Sequence, residues 1–163
     1  MIRASRRIPF HNVKKKARTM NKLLIASLLA ACVVPAVARD NIVKVSLDAV
    51  LEQAEAKEKL DGSVKFYLAG AKTPHIEKKL GEDVTNQKTN GFNKSAEHGC
   101  EHVALSALIA LQDGAKRAGA NAVVDIVSYY KKETSSSPTD IECHDGTLIS
   151  GVALKGTYAK VAP

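Results

Sequence analysis

The sequence contains no tryptophan, only three phenylalanines and four tyrosines, and just three cysteines in 163 residues. With so few aromatics and 45% apolar residues, the chain fits one modest globular domain plus a segment that is not part of it. Catalytic signatures are missing too. There is no GxSxG elbow to expose a serine nucleophile, and the run Ser135-Ser136-Ser137 reads as a solvated loop. The glycine pattern from Gly151 to Thr157 has Lys155 before Gly156 instead of after it, and no helix follows. It therefore lacks the dipole and the row of amides that hold a nucleotide phosphate. Gly151 and Gly156 are expected to mark a bulge or a close packing contact in a strand. Internal repeats, coiled-coil heptads and long low-complexity tracts are absent as well.

Acidic residues are missing from the first 38 positions, which carry eight basic side chains. The formal charge of +7 is concentrated there, leaving 16 basic against 17 acidic residues, a net charge of −1, in the rest. A near-neutral remainder has no electrostatic footprint for nucleic acid or anionic lipid. Within the basic segment, Met20-Asn21-Lys22 forms a short n-region, Leu23 to Ala31 an apolar run too short to span a bilayer, and Ala36-Val37-Ala38 a small-x-small cleavage site. The expected organisation is a basic extension over 1–19 with Met20 as the true initiator, a signal peptide over 20–38, and one small α+β domain over 39–163 beginning at Arg39. A transit-type extension is the alternative reading of 1–19. Leu29-Ala30-Ala31-Cys32 also matches a lipobox, but Val33 to Ala38 is not a polar tether. Removal of Cys32 with the leader is favoured over its lipidation, which is the one route to a membrane anchor.

In the remainder, Ser46 caps a helix with apolar positions Leu47, Val50, Leu51, Ala54 and Leu60, ended by Asp61-Gly62. Ser63 to Ala69 alternates as a half-buried edge strand. Gly70 to Lys94 turns polar and reads as irregular, with at most one weak strand. Ser95 caps the main helix, roughly Ala96 to Ala118, whose stripe Cys100, Ala104, Leu108, Leu111, Ala115 and Ala118 should lie on a sheet. "ANAVVDIVSYY" supplies a central strand, in which Asp125 faces outward or bonds to a neighbouring strand. Strands over Asp140 to His144 and Thr147 to Lys160 meet across a turn at Asp145-Gly146. The expected fold is α+β: an antiparallel sheet of three to four strands with two helices on one face.

The stretch "SAEHGCEH" at 95–102 concentrates histidine, cysteine and carboxylate. A zinc or copper site drawing on His98, Cys100, His102, Cys143 and His144 fails on geometry. On a helix Cys100 points away from the face that His98 and His102 share, and on a strand Cys143 and His144 point to opposite sides. What survives is a two-histidine site at His98 and His102, aided by Glu101 or His144, against the plainer reading of solvated histidines. Export leaves two cysteines in an oxidising compartment, and both point into the layer between helix and sheet. A Cys100–Cys143 disulfide is therefore expected, with two free buried thiols or a redox-active pair as alternatives.

The motifs "KTNGFNKS", "ALSALIALQDGAKRAGANAVVDIVSYYKK" and "IEC…ISGVALKGT" resemble a group of short secreted proteobacterial proteins often labelled "excinuclease ATPase subunit". A signal peptide, no Walker A loop, no zinc-finger cysteine pairs and one small domain are incompatible with a cytoplasmic DNA-repair ATPase. More distantly, the helix running into "GANAVV" is similar to the α+β domains of YbjQ-type heavy-metal-binding proteins and of the Rcs stress-sensor lipoprotein. That resemblance implies a helix-on-sheet domain and metal binding or envelope sensing, and no catalytic residue. The expected function is a non-enzymatic periplasmic or secreted domain that binds an envelope protein or component. Its contact regions are expected at Gly70 to Lys94 and Lys131 to Thr139, and it needs no cofactor. A periplasmic metal-binding or metal-stress protein is the alternative, and a DNA-repair ATPase-associated protein the remote one.

Overall fold

The computed structural model describes residues 40–91 and 95–162. The expectations for the 1–19 extension, the signal peptide, Cys32 and Arg39 lie outside the described residues. In chain order the elements are β1 (Asp40–Ser46), α1 (Leu47–Glu52), α2 (Ala54–Lys59), β2 (Lys65–Leu68), β3 (Ile76–Asn90), α3 (Ala96–Arg117), β4 (Ala122–Ser128), a 3-10 turn at Tyr130–Lys132, β5 (Asp140–Gly146) and β6 (Ile149–Val161).

All six strands belong to one sheet organised around β6. Along one edge β6 pairs antiparallel with β3, from Ile76 opposite Val161 to Asn90 opposite Ile149. Its other edge is shared: β5 takes the start, at His144–Gly151 and Asp145–Ser150, and β4 takes the far part. β1 then extends β5 antiparallel, and β2 extends β4 in parallel. The class is α+β as expected, but the sheet has six strands where three to four were predicted, and it is mixed where an antiparallel one was expected, because β2 runs parallel to β4.

The surplus comes from β1 and β3. Gly70 to Lys94, predicted irregular, is mostly the 15-residue β3. Alternation was invisible because its inward positions carry polar side chains, among them Asp83, Thr85 and Gln87, while Glu82, Asn86 and Lys88 line the other side. Charged and polar residues are what an outer strand uses to discourage further pairing.

The single predicted helix after Ser46 is broken at Gln53, which takes extended angles (φ −59°, ψ 144°) between α1 and α2. Ser46 caps α1 as expected, accepting a hydrogen bond from the Ala49 amide. The break rotates the second half, so that Ala56 is buried and the predicted Ala54 is exposed. Ser95 caps α3, its hydroxyl accepting from the His98 amide at 3.2 Å. Gly119, at φ +73°, stands just beyond the helix, where an L-residue would be strained. Cys100, Ala104, Leu108, Leu111 and Ala115 are buried as the stripe predicts, whereas Ala118 is exposed.

α3 packs on β3 and β6, and against β1 and β5. The core between them holds Val103, Leu105, Leu108 and Leu111 against Val123, Ile126, Ile141, Val152 and Leu154. On the other side of the sheet a smaller cluster joins Ala122, Val124, Ala159 and Val161. β4 bulges at Asp125, which has φ +54° and breaks the pairing with β6 between Val124 and Val127. Opposite this bulge lies Gly156, where an added Cβ would come within 2.7 Å of Val123 Cγ1. That meets the expectation of a close packing contact at one of the two glycines.

The predicted Asp145-Gly146 turn is displaced. β5 runs on through Gly146, and Thr147-Leu148 carries the reversal. The cause is across the ladder: buried Asp145 accepts a 2.7 Å hydrogen bond from the Ser150 hydroxyl, which keeps it in the strand.

Candidate functional site

Cys100 and Cys143 form a disulfide with a Cα separation of 5.7 Å, and both residues are fully buried. "SAEHGCEH" therefore supplies the helix end of a core crosslink. Because Cys143 faces α3, His144 points to the opposite side of the sheet. It stands apart from the helix histidines, of which His102 has its Nδ1 3.6 Å from Glu55 Oε2. Among the described residues, no group of three or more His, Cys, Asp or Glu side chains is placed to hold one metal ion together. Gly151 and Gly156 both lie inside β6 and are paired on the ladder with β3. Lys155 is held by Glu82 at 2.8 Å, and that partner raises its pKa. Asp125 takes the outward of its two expected orientations, its exposed carboxylate 3.2 Å from Lys79 of β3.

His144 joins a polar clasp at the sheet end. Its Nδ1 lies 2.8 Å from Asp40 Oδ1, and its ring stacks on Tyr130 at 3.5 Å between centroids. Lys131 sits 3.5 Å from the other oxygen of Asp40 and 4.9 Å above the Tyr130 ring. The clasp ties the first residue of β1 to β5 and to the 3-10 turn.

The hydrogen bond to His144, assisted by Lys131, holds the Asp40 carboxyl below the ordinary value of 3.8. A depressed folded pKa means that this contact stabilises fully above the unfolded value and is lost as pH falls through the folded one. We expect the Asp40 and Ile42 amide resonances to shift in an acid step below about pH 4, with the β3–β6 ladder unmoved. The step should vanish in Asp40→Asn; an identical profile in wild type and variant would show that Asp40 does not govern the end of β1.

A second feature lies at the opposite end of the sheet. α2 and the outer side of β2 enclose an apolar groove of about 320 Å³. Leu51, Leu60 and Phe66 form its half-buried wall, continuous with the core, and Ala56 and Val64 lie behind them. Gly62 leaves one rim open, at φ +73° with nothing within 4 Å of a Cβ placed there. The charged lining residues are Lys57 and Lys65. Between them in sequence, Asp61 is engaged elsewhere by Lys116 at 2.6 Å and by Ser63. The Lys116 ammonium is the main reason its carboxyl stays far below the usual range.

Sequence reasoning found the cysteines and missed the groove. Its apolar residues were read as ordinary core positions, which half of their surface is. The clasp was missed because Asp40 and the 3-10 turn meet His144 only through the sheet pairing. No protein-family model matches this chain, and no curated protein matches it.

Proposed function

We propose that this protein is an exported, non-enzymatic binding domain of the cell envelope, periplasmic or secreted, in which one disulfide stiffens a scaffold that presents a recognition groove. The observation that carries the reading is the groove itself, a concave apolar site walled by Leu51, Leu60 and Phe66 and rimmed by charge. Concavity with an apolar lining and a few polar groups is the usual form of a binding site. A buried disulfide is compatible with an oxidising compartment, and the leader-like segment over 20–38 agrees with that address.

Two measurements test the reading. Intact mass of the protein recovered from the envelope should give a chain starting at Arg39 that gains two alkyl groups only after reduction. A photo-crosslinking residue in place of Tyr67, at the groove, should yield a discrete adduct in intact cells, whereas the same residue in place of exposed Glu97, at the start of α3, should not. A cytoplasmic protein with free thiols, or adducts equal at both positions, would overturn the proposal.

A further inference from the structure

Resting on the reading of the groove as a recognition site, we infer that its occupant is an extended acidic peptide segment of another protein, added as a strand along the free edge of β2 with one apolar side chain in the cavity. The strand order ends at β2, so among the described residues its outer edge has no partner strand. The inner edge is engaged: the Lys65 amide donates to Asn121 O at 3.0 Å, and the Ala69 amide to Ile126 O at 2.8 Å. Successive residues of a strand turn their N–H and C=O groups to alternate edges. Phe66 therefore presents its backbone pair outward, and Phe66 is also a wall of the groove.

An unmade backbone pair beside an apolar cavity is the arrangement used in strand addition, where main-chain bonds give affinity and side-chain pockets give selectivity. The cavity is at the small end of ligand-site sizes, which suits one large apolar side chain better than a whole compact ligand. Charge selects the peptide's sign. Among the described lining residues the charged ones are both lysines, Lys57 on α2 and Lys65 on β2, and neither has a carboxylate partner. The nearby Lys59 and Lys116 are each paired, with Glu55 and Asp61. Carboxylates flanking the buried side chain would complete the rim, and complementary rim charge governs selectivity and association rate.

The test uses the disulfide-bonded protein as recovered from the envelope, a random seven-residue peptide library on phage, and vesicles of phosphatidylglycerol and phosphatidylethanolamine. Selection should enrich an apolar residue with Asp or Glu close on either side. A synthetic peptide of that pattern should slow exchange of the Phe66 amide. Because Lys57 and Lys65 are exposed, the variant Lys57→Glu/Lys65→Glu should fold normally and bind the peptide weaker by about tenfold or more. Peptides that bind without protecting Phe66, and with affinity unchanged in the variant, would overturn this inference while leaving a binding function at another surface. Enrichment of basic peptides, or vesicle binding without any peptide enrichment, would overturn the acidic-peptide occupant. No enrichment and no vesicle binding, together with no adduct at position 67, would remove the binding reading as well.

Discussion

Removing the Cys100–Cys143 bridge should cost on the order of 4 kcal/mol, the loop-entropy value for a crosslink of this span, since the two cysteines are 43 positions apart. Against a typical total of about 5–15 kcal/mol, that is a large share. The loss should not fall evenly. β5 meets β6 at only two residue pairs, whereas β3 follows β6 along nearly its full length. The β1–β5 arm therefore depends on its contacts with α3, on the Glu142 amide bonded to Ser128 Oγ at 2.9 Å, and on the disulfide. Cys143 is the midpoint of that arm, opposite Val43 of β1.

Urea denaturation of Cys100→Ala/Cys143→Ala should show the lower midpoint, with a steeper slope because the unlinked chain exposes more surface on unfolding. Native-state exchange should show β1 and β5 amides losing more protection than those of β3 and β6. Alanine leaves a small void at each position, so chemical reduction of the wild type is the companion measurement. An unchanged midpoint in the variant and in protein shown by mass to be fully reduced would refute the crosslink as a stabilising element. Uniform loss of protection would refute the weak-arm argument.

Parts of this architecture could be read from residue order alone, for local physical reasons. The α3 boundaries follow from Ser95, Lys116-Arg117 and Gly119, each acting within a turn of the helix end. The cysteine pairing followed from two inward faces and an even count. β3 was hidden because its inward side chains are polar, and a strand whose pairing is supplied by a long neighbour needs little apolar alternation to form. β1 is legible in principle, since Val43 and Val45 alternate with Lys44, but the alternation is short and confined to three positions. The turn was misplaced because Asp145-Gly146 has a strong local preference that a buried hydrogen bond to Ser150 overrides. The groove depends on where the strand order stops, a property of the sheet that no window of sequence contains. Phe66 looks the same in sequence whether the edge beside it is covered or open.

Gly114→Ala should be destabilising, although the same change in an ordinary helix interior gains about 1 kcal/mol. Gly114 lies in the last part of α3 and faces Tyr158 of β6. A Cβ there would overlap the Tyr158 hydroxyl, stand 2.7 Å from its Cζ, and come within 3.2 Å of Asp83 Oδ2. The tyrosine has little freedom to yield. Its residue is 6% exposed, and its hydroxyl donates a 2.5 Å hydrogen bond to Asp83. Burial first, and then this bond to a carboxylate, push the tyrosine pKa far up. A raised folded pKa means that the contact stabilises fully below the unfolded value near 10 and is lost as pH rises through the folded value. The phenol is therefore neutral and donating throughout the ordinary range.

The new methyl group must displace the ring from Asp83 or push α3 off the sheet, and overpacking of this kind costs about 1–3 kcal/mol and at times more, which outweighs the helix gain. Tyr158→Phe alone should cost about 1.5–3 kcal/mol, the range for a hydrogen bond to a charged group. The double variant should cost less than the sum of the two, because one clash partner is already gone. It should still fall below Tyr158→Phe, because the ring carbon at 2.7 Å remains. Denaturant midpoints of the wild type and the three variants close this cycle. A neutral or stabilising Gly114→Ala would mean that Tyr158 does not fill the space against α3, and strict additivity would mean that the two residues do not touch.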